Sequence, residues 1–247
     1  MLSSGRGGRG LGLLKEAGLV EVLLPEVAAL DGVAQPARFH PEGDVFTHTR
    51  MLLDGYRGGG EAVAWAALLH DVGKPPTATR NEKGRIAFPR HAEVGAEMAR
   101  EVLTRLRASN RLVDEVEGLV ARHMHWPALA MMREAKRRRH LLREYFDAHM
   151  ELHRLDCAAC HGDLSVHAYA LRARDALLLE PPPVRPLLDG HALKAMGFEP
   201  GPSFRRILEA LVDAQLEGAV ADRAAAEAFV RARFAPPAGE RIRKGGA

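Results

Sequence analysis

The chain has 247 residues, of which 47% are hydrophobic, enough to bury one sizeable core. Its formal net charge of +3 and pI of about 9.1 are compatible with phosphate-bearing ligands but too small to indicate nucleic-acid binding alone. The absence of any run of 18 apolar residues argues against a membrane span, and two cysteines fit a reducing cytoplasm. Ala, Leu, Arg and Glu dominate the composition and favour helices, so we predict an all-α, cytoplasmic protein without a membrane partner.

Composition and periodicity divide the first two thirds of the chain into helices and loops. Residues 1–10 are rich in Gly and Arg and are predicted to be disordered, without a signal peptide. Gly84 is the expected centre of a small hairpin inside a Pro-containing loop over residues 75–90. We expect one or two helices over 11–30, a loop over 31–43, and helices near 44–56, 61–72, 91–107, 110–123, 132–150 and 151–179.

A Pro-rich stretch over 181–186 predicts a linker between two parts of the chain. We therefore predict a helical body over residues 11–180 and a small helical tail over 181–235. Residues 236–247 are predicted to be disordered. The expected helices of the tail lie near 191–196, 203–217 and 222–233.

The pair His70-Asp71 is the most informative feature of the sequence. An apolar helical stretch ends there in an imidazole beside a carboxylate, and Gly73 and Lys74 then precede a proline. Imidazole and carboxylate together suit a divalent transition metal. The helix-ending string after the pair makes a chance occurrence less plausible than for an isolated His-Asp.

Four further side chains fall on other predicted helices and face inward or open a helix. His48 has Met51 and Leu52 at the next helical turn, and His123 continues an apolar stripe, on a helix that Asn110 is expected to cap. Each such residue alone is also explained as a hydrogen-bonded core residue. Together they favour a metal site in the middle of a helical bundle. The four are His48, His91, His123 and Asp156.

These residues and the segments around them resemble a known family. His48, His70-Asp71 and Asp156 match the H…HD…D pattern of the HD-domain metal-dependent phosphohydrolases. The resemblance is closer still to the HD portion of bacterial CCA-adding tRNA nucleotidyltransferases and related poly(A) polymerases, and it covers residues 11 to 235. It implies an HD-domain helical bundle with a small helical C-terminal tail.

The resemblance also implies a ligand set. His48, His70, Asp71 and Asp156 would hold one ion, and His91 and His123 would hold a second, with Asp71 bridging. In a mononuclear site the last two histidines would instead contact phosphate or orient ligands. We favour two ions, drawn from Mn, Fe, Ni or Mg.

The implied reaction is hydrolysis of a phosphate ester by a metal-activated hydroxide, with Asp71 and Lys74 as the catalytic residues. Lys74 would offset charge at the phosphate; its alternative role is a helix C-terminal cation. Arg80, Arg90 and Arg122 are the candidates for gripping phosphates, together with Lys74. The expected substrates are nucleotide-like: 2′,3′-cyclic nucleotides, RNA ends and nucleoside monophosphates.

The sequence also fits two other functions. The relatives begin with a nucleotidyltransferase head, and nothing of that kind precedes His40, so we do not expect nucleotide addition by this chain alone. The chain could instead be a non-enzymatic accessory protein that binds tRNA or other RNA and works with a separate nucleotidyltransferase. The tail and the basic run over 136–139 favour that alternative, although a solvated helix face also explains the run. Hydrolysis of dinucleoside polyphosphates or dNTPs is a third reading.

Four histidines and two cysteines fall outside this scheme. Cys157, Cys160 and the following histidine spell a haem-attachment pattern, but no export signal is present, so both thiols are predicted to pack. His149 and His153 are predicted to support ligands or lie at the surface, and His125 to point away from the site.

Overall fold

The computed structural model describes residues 5–36, 40–41, 43–82, 84–179 and 186–234. Helices dominate these ranges and confirm the all-α prediction. The only strands among the described residues form one antiparallel hairpin, which pairs Thr79 with Ala87 and Arg80 with Ile86 around Gly84, as predicted. Most of the predicted linker and the terminal segment 236–247 lie outside the described residues.

The elements follow one another in a simple order along the chain. A 3₁₀ segment, His123–Met131, follows α8. The helices and strands are α1 (Gly7–Glu16), α2 (Leu19–Leu23), α3 (Pro25–Ala28), α4 (Val45–Gly55), α5 (Glu61–Leu69), α6 (Lys74–Thr77), β1 (Thr79–Arg80), β2 (Ile86–Ala87), α7 (His91–Arg105), α8 (Asn110–Arg122), α9 (Glu134–Leu141), α10 (Phe146–Ala159), α11 (Ser165–Leu179), α12 (Gly190–Ala195), α13 (Pro202–Leu216) and α14 (Arg223–Arg233).

The chain forms two compact units. Of the described residues, those from 5 to 131 and from 141 to 174 form the first unit, and those from 132 to 140 and from 175 to 234 form the second. The predicted helical body spans residues 11–180 without a break, whereas most of α9 belongs to the second unit. That unit has its own apolar core, built on Leu193, Leu211 and Val230, which join α12, α13 and α14.

Helix α5 lies at the centre of the first unit. It is apolar on nearly every side, and seven of its nine residues are buried. A helix of this kind must be surrounded by other helices, and α4, α8 and α10 all pack against it, while α7 packs against α8. The sequence that follows α5 therefore emerges in the interior of the unit.

The N-terminal segment differs from the prediction of disorder over residues 1–10. Gly7 to Gly10 form the first turn of α1, which packs against α4. Gly8 makes this contact possible, because a Cβ there would overlap the carbonyl oxygen of Arg50. Glycine composition suggested a flexible tail, whereas its physical role is a close approach between helices. Residues 1–4 lie outside the described part of the chain.

Two local predictions about helix ends were also wrong. The single helix expected over 132–150 is divided into α9 and α10, and Tyr145 between them has a positive φ of 59°. Ser109, rather than Asn110, caps α8, because its Oγ accepts a hydrogen bond of 3.3 Å from the nitrogen of Leu112. In the described ranges no helix combines the length and apolarity that crossing a membrane requires.

Candidate metal centre

Five elements of the first unit bring six side chains together. His70 is the C-cap of α5, and Asp71 follows in the turn before α6. His48 lies on α4, and Asp156 lies on α10. His91 and His123 come from the start of α7 and the end of α8. These are the six metal ligands that the sequence predicted, and the fold assembles all of them.

The first group of potential ligands includes one oxygen of Asp71. Ligand atoms of His48, His70 and Asp71 all lie within 4.8 Å of one another, and all three residues are buried. His70 Nε2 lies 3.1 Å from Asp71 Oδ2. Asp156 lies next to this group, because its Oδ1 is 3.1 Å from His48 Nε2.

A second group surrounds the other oxygen of the same carboxylate. Ligand atoms of Asp71, His91 and His123 again lie within 4.8 Å of one another. Asp71 Oδ1 is 3.7 Å from His91 Nε2 and 3.9 Å from His123 Nε2. Asp71 therefore faces two sets of histidines, one with each oxygen.

Backbone carbonyls fix the protonation of three of these imidazoles. The Nδ1 of His70 lies 3.1 Å from the carbonyl oxygen of Ala67, that of His91 2.8 Å from Phe88, and that of His123 2.7 Å from Val120. A carbonyl only accepts, so each Nδ1 carries the proton and donates it. The lone pair of each ring then lies on Nε2, which faces the centre of the site.

The arrangement of the nitrogens calls for a cation. His91 Nε2 and His123 Nε2 stand 3.3 Å apart, and with protons on both Nδ1 atoms their lone pairs face each other. Two nitrogens that bind one zinc-like ion at about 2.1 Å stand roughly 3 Å apart. His70 Nε2 is also buried without a hydrogen bond of acceptable geometry, although it lies 3.1 Å from Asp71 Oδ2. The residues present therefore fit a divalent metal.

Burial and charge keep these groups in the forms that bind metals. Burial, reinforced by the charge of His70, lowers the pKa of His123 to about 4, and burial lowers the pKa of His91 as well. Burial alone would raise the pKa of Asp71, but the charges of His70 and Lys74 outweigh it and hold that pKa well below its usual value. Neutral imidazoles and an ionised carboxylate are the forms that coordinate metals.

Asp156 shows the same balance on the other side of the site. Burial would raise the pKa of its carboxyl group, but the hydrogen bond from His48 and the charge of His70 lower it further than burial raises it. The carboxylate is therefore ionised at neutral pH and available to a cation.

Lys74 is tied directly to the shared carboxylate. Its Nζ lies 2.7 Å from Asp71 Oδ2 and 2.5 Å from Gln35 Oε1, and the residue is buried. It is the first residue of α6, so it is not a helix C-terminal cation of α5 as the alternative proposed. Lys74 lines the same cleft as the metal-binding groups.

A cleft of about 810 Å³ opens over the site. None of the three arginines expected to grip phosphate lines it: Arg80 and Arg90 are exposed elsewhere, and the Nη1 of Arg122 donates to the carbonyl oxygen of Gly118 at 2.8 Å. Arg85, which the sequence analysis missed, does line the cleft. Its place directly before β2, in the segment that leads to Phe88 and His91, was the available signal.

Residues near the end of α10 also line the cleft. His153 is buried and lines it, together with Cys157 and Cys160, so His153 is not a surface group. Cys157 Sγ lies 3.6 Å from His153 Nδ1, and burial raises the pKa of that thiol to about 12. His149 is also buried, and its ring lies 5.6 Å from that of Trp126.

Comparisons with known proteins agree with this geometry. A family model described as "HD domain" matches residues 44–158. The chain is 40% identical over 240 residues to a CC-adding tRNA nucleotidyltransferase of Thermus thermophilus, covering 93% of this chain and 54% of that protein. It is 35% identical over 245 residues to an A-adding tRNA nucleotidyltransferase of Deinococcus radiodurans, covering 94% and 56% respectively.

A shorter match, 44% identical over 119 residues, links the chain to a multifunctional CCA protein of Halorhodospira halophila, and covers 46% of this chain and 27% of that protein. The chain spans about half the length of the two relatives that it matches over its greater part. The histidines and aspartates of the assembled centre lie within or beside the matched range. Residues 44–158 therefore match the HD-domain family, and the chain is similar over most of its length to part of the tRNA nucleotidyltransferases that add CC or A.

Proposed function

We propose that this chain is a metal-dependent phosphohydrolase that acts on phosphate esters of nucleotides or RNA ends. One observation carries the proposal: the buried carboxylate of Asp71 faces His70 with one oxygen and the pair His91 and His123 with the other. A carboxylate placed in this way is suited to bridge two cations. An open cleft above it gives a substrate access.

The chain's residues divide between two ion positions in this proposal. His48, His70, Asp71 and Asp156 would hold one divalent ion, and Asp71 would share a second with two further histidines, His91 and His123. When bound, such ions polarise a phosphoryl oxygen and lower the pKa of water. The donor set of imidazoles and carboxylates suits Mn, Fe or Ni, with Mg less favoured by the nitrogen ligands.

The remaining polar groups orient the site and balance its charge. The Nδ1 bonds of His70, His91 and His123 keep each ring turned so that Nε2 faces the cleft. Lys74 lies against Asp71 and lines the cleft, so its ammonium is placed to offset negative charge that develops on a phosphate. Phosphate esters are therefore the substrates that this charge distribution suits.

A metal screen tests the proposal. Purified protein is stripped with chelator and reloaded separately with Mn, Fe(II), Ni or Mg. It is then assayed with bis-p-nitrophenyl phosphate, 2′,3′-cyclic AMP and nucleoside monophosphates. We expect turnover with at least one ion, loss of metal and activity in Asp71→Asn, and no change in the control His125→Gln, whose side chain is exposed outside the cleft. Absence of turnover with every ion, or equal metal content in Asp71→Asn and the wild type, would contradict the proposal.

A second candidate function is an accessory role in tRNA processing with a separate nucleotidyltransferase. It is favoured by the relatives, which are named as tRNA nucleotidyltransferases and of which this chain spans about half. The basic run over 136–139 supports it less than the sequence suggested. Arg137 and Arg138 pair with Glu134, and Arg139 pairs with Asp213 at 2.5 Å.

A tRNA-binding titration over a range of salt concentrations separates the two functions. Tight, salt-sensitive binding that survives Asp71→Asn, without any turnover, would favour the accessory role. Turnover of small esters without tRNA binding would favour the hydrolase.

A further inference from the structure

The β1–β2 hairpin forms one wall of the cleft beside the metal centre. Arg85, Ile86, Ala87 and Phe88 follow one another along this wall, and all four line the cleft. The wall therefore presents a cation, an apolar stretch and an aromatic ring in sequence before His91 begins α7.

The position of Arg85 is fixed by the hairpin. Its backbone nitrogen donates to Asn81 Oδ1 at 2.9 Å, and its carbonyl oxygen accepts from the nitrogen of Asn81 at 3.1 Å. Thr79 Oγ1 donates to the carbonyl oxygen of Ala87 at 3.1 Å and closes the other end of the strand pair. The backbone that carries Arg85 is therefore held in a defined conformation beside the cleft.

The guanidinium of Arg85 carries an uncompensated charge. Among the described residues, no carboxylate lies within ion-pair distance of it. The other basic side chain of the cleft, Lys74, is already engaged by Asp71 and Gln35. Guanidinium groups bind phosphate with two parallel hydrogen bonds, so the uncompensated charge at Arg85 suits a phosphate.

Phe88 lies between Arg85 and the ligand His91 in the chain, and it lines the same cleft. Its carbonyl oxygen accepts the Nδ1 hydrogen bond of His91, and its ring centroid lies 5.5 Å from Lys74 Nζ. Three extended residues span roughly 10 Å, which sets the scale of the separation between Arg85 and Phe88. Aromatic rings at such positions stack on nucleobases without regard to sequence.

We propose that Arg85 binds a second phosphate of the substrate, so that the cleft takes a nucleoside with phosphate on both sides. One phosphate lies at the metal centre, the base lies near Phe88, and the other phosphate meets Arg85. The placement of the first phosphate depends on the proposed function. The ligand class is a nucleoside bisphosphate, free or as the terminal nucleotide of an RNA chain.

Calorimetric binding to the metal-loaded protein tests this without requiring turnover. We expect adenosine 3′,5′-bisphosphate to bind about tenfold more tightly than adenosine 3′-monophosphate, as a charge-assisted contact would give. Arg85→Gln should remove this preference and leave monophosphate binding unchanged. Arg80→Gln is the matched control, because Arg80 lies on the same hairpin but does not line the cleft.

Three outcomes would overturn the inference: no binding of either ligand to the wild type, no preference in the wild type, or a preference that survives Arg85→Gln. A preference that depends on Arg85 in a protein without hydrolytic turnover would leave the inference standing and remove the proposed function. Hydrolytic turnover in a protein that shows no preference for the bisphosphate would support the proposed function and overturn the inference.

A third ligand distinguishes the two sources of the second phosphate. A diadenylate that ends in a 3′-phosphate carries its second phosphate as an internal diester, as an RNA end does. If this ligand binds more tightly than adenosine 3′-monophosphate, and the difference depends on Arg85, the result supports recognition of RNA ends. A gain confined to the bisphosphate supports a free nucleotide, and a gain with neither contradicts the proposal.

Discussion

Asp71 is the residue on which the centre depends, because each of its oxygens faces different nitrogen ligands. The substitution Asp71→Asn keeps one side-chain oxygen and removes the negative charge. A buried carboxylate close to four imidazoles and one ammonium also balances the charges around it. A substitution of a charged neighbour that is not a predicted ligand can therefore change the charge balance at Asp71 without removing a metal ligand.

Lys74→Gln separates those two effects. The change removes the cation from Asp71 and leaves every predicted ligand in place, so we expect metal content to be kept and kcat to fall by about tenfold or more. Metal analysis and initial rates on the same preparation measure both quantities. Lys136→Gln, at an exposed position, is the control. Loss of metal together with activity in Lys74→Gln would show that Lys74 only supports the ligands.

The low pKa of His123 predicts a pH dependence of stability in the metal-free protein. The folded state keeps His123 neutral down to a pKa of about 4, whereas the unfolded chain takes up the proton near 6.5. This contribution is fully present above pH 6.5 and is lost as the pH falls from 6.5 to 4; it amounts to about 3 kcal/mol. Asp71 and Asp156 have lowered pKa values, so their contributions are lost only at lower pH.

Urea denaturation in chelator at pH 7 and pH 4.5 measures this effect. We expect His123→Gln to flatten the pH dependence, while His125→Gln leaves it as in the wild type. An equal free energy of unfolding of the wild type at both values of pH would contradict the prediction.

The six side chains that the structure brings together could be identified from the sequence, because several face inward on predicted helices and because the segments around them resemble a known family. The arginine that lines the cleft could not be identified in this way. Arg80 and Arg85 both belong to one short hairpin, and only the three-dimensional path of that hairpin decides that Arg85 lines the cleft and Arg80 does not. Sequence also missed the burial of His153, since the surface of α10 that it covers depends on the 3D packing of its neighbours.

At the scale of elements, the turn after α5 and the start of α7 meet with almost no space between their backbones. A Cβ on Gly73 would overlap the carbonyl oxygen of His91 and lie 2.6 Å from the nitrogen of Gly95. This contact sets the distance between the turn that carries Asp71 and the helix that begins at His91. The absence of a side chain at residue 73 is therefore a condition for the second ligand group.

Gly73→Ala should push these elements apart. We expect the free energy of unfolding to fall by about 1–3 kcal/mol, as for other overpacked contacts. We also expect weaker binding of the ion shared with His91. Chemical denaturation and metal titration measure the two effects.

Gly201→Ala is the control for that substitution, because a Cβ at Gly201 meets nothing within 4 Å. A Gly73→Ala protein with wild-type stability and metal affinity would show that the backbone there moves without cost.

Most helices could be predicted from periodicity, while their interruptions could not. The left-handed conformation of Tyr145 divides α9 from α10, and no glycine or proline marks it. The N-terminal glycines gave the opposite error. Their backbone freedom suggested disorder, whereas Gly8 is used for contact with the backbone of α4.

At the scale of the whole molecule, the chain has two apolar cores in two units. All six predicted ligands belong to the first unit. A ligand that binds only the folded state stabilises the part that binds it. Metal should therefore stabilise the first unit directly.

Thermal unfolding with and without metal tests this division. We expect added metal to raise the unfolding temperature of one transition and leave a second unchanged. Leu211→Ala, in the second core, should lower only that second transition, by roughly 2–5 kcal/mol in stability. A single transition that metal and Leu211→Ala both shift would mean that the units unfold together.

The three carbonyl bonds to imidazole have a consequence for how the site responds to movement. In each case donor and acceptor are three residues apart in the chain: His70 with Ala67, His91 with Phe88, and His123 with Val120. Each imidazole is thus oriented by a carbonyl oxygen that belongs to the same four-residue segment of the chain. If the helices shift, every imidazole travels with its bond intact, and only the spacing between rings changes. Changes in helix position would therefore alter the preferred ion size and leave the chemical state of the ligands untouched.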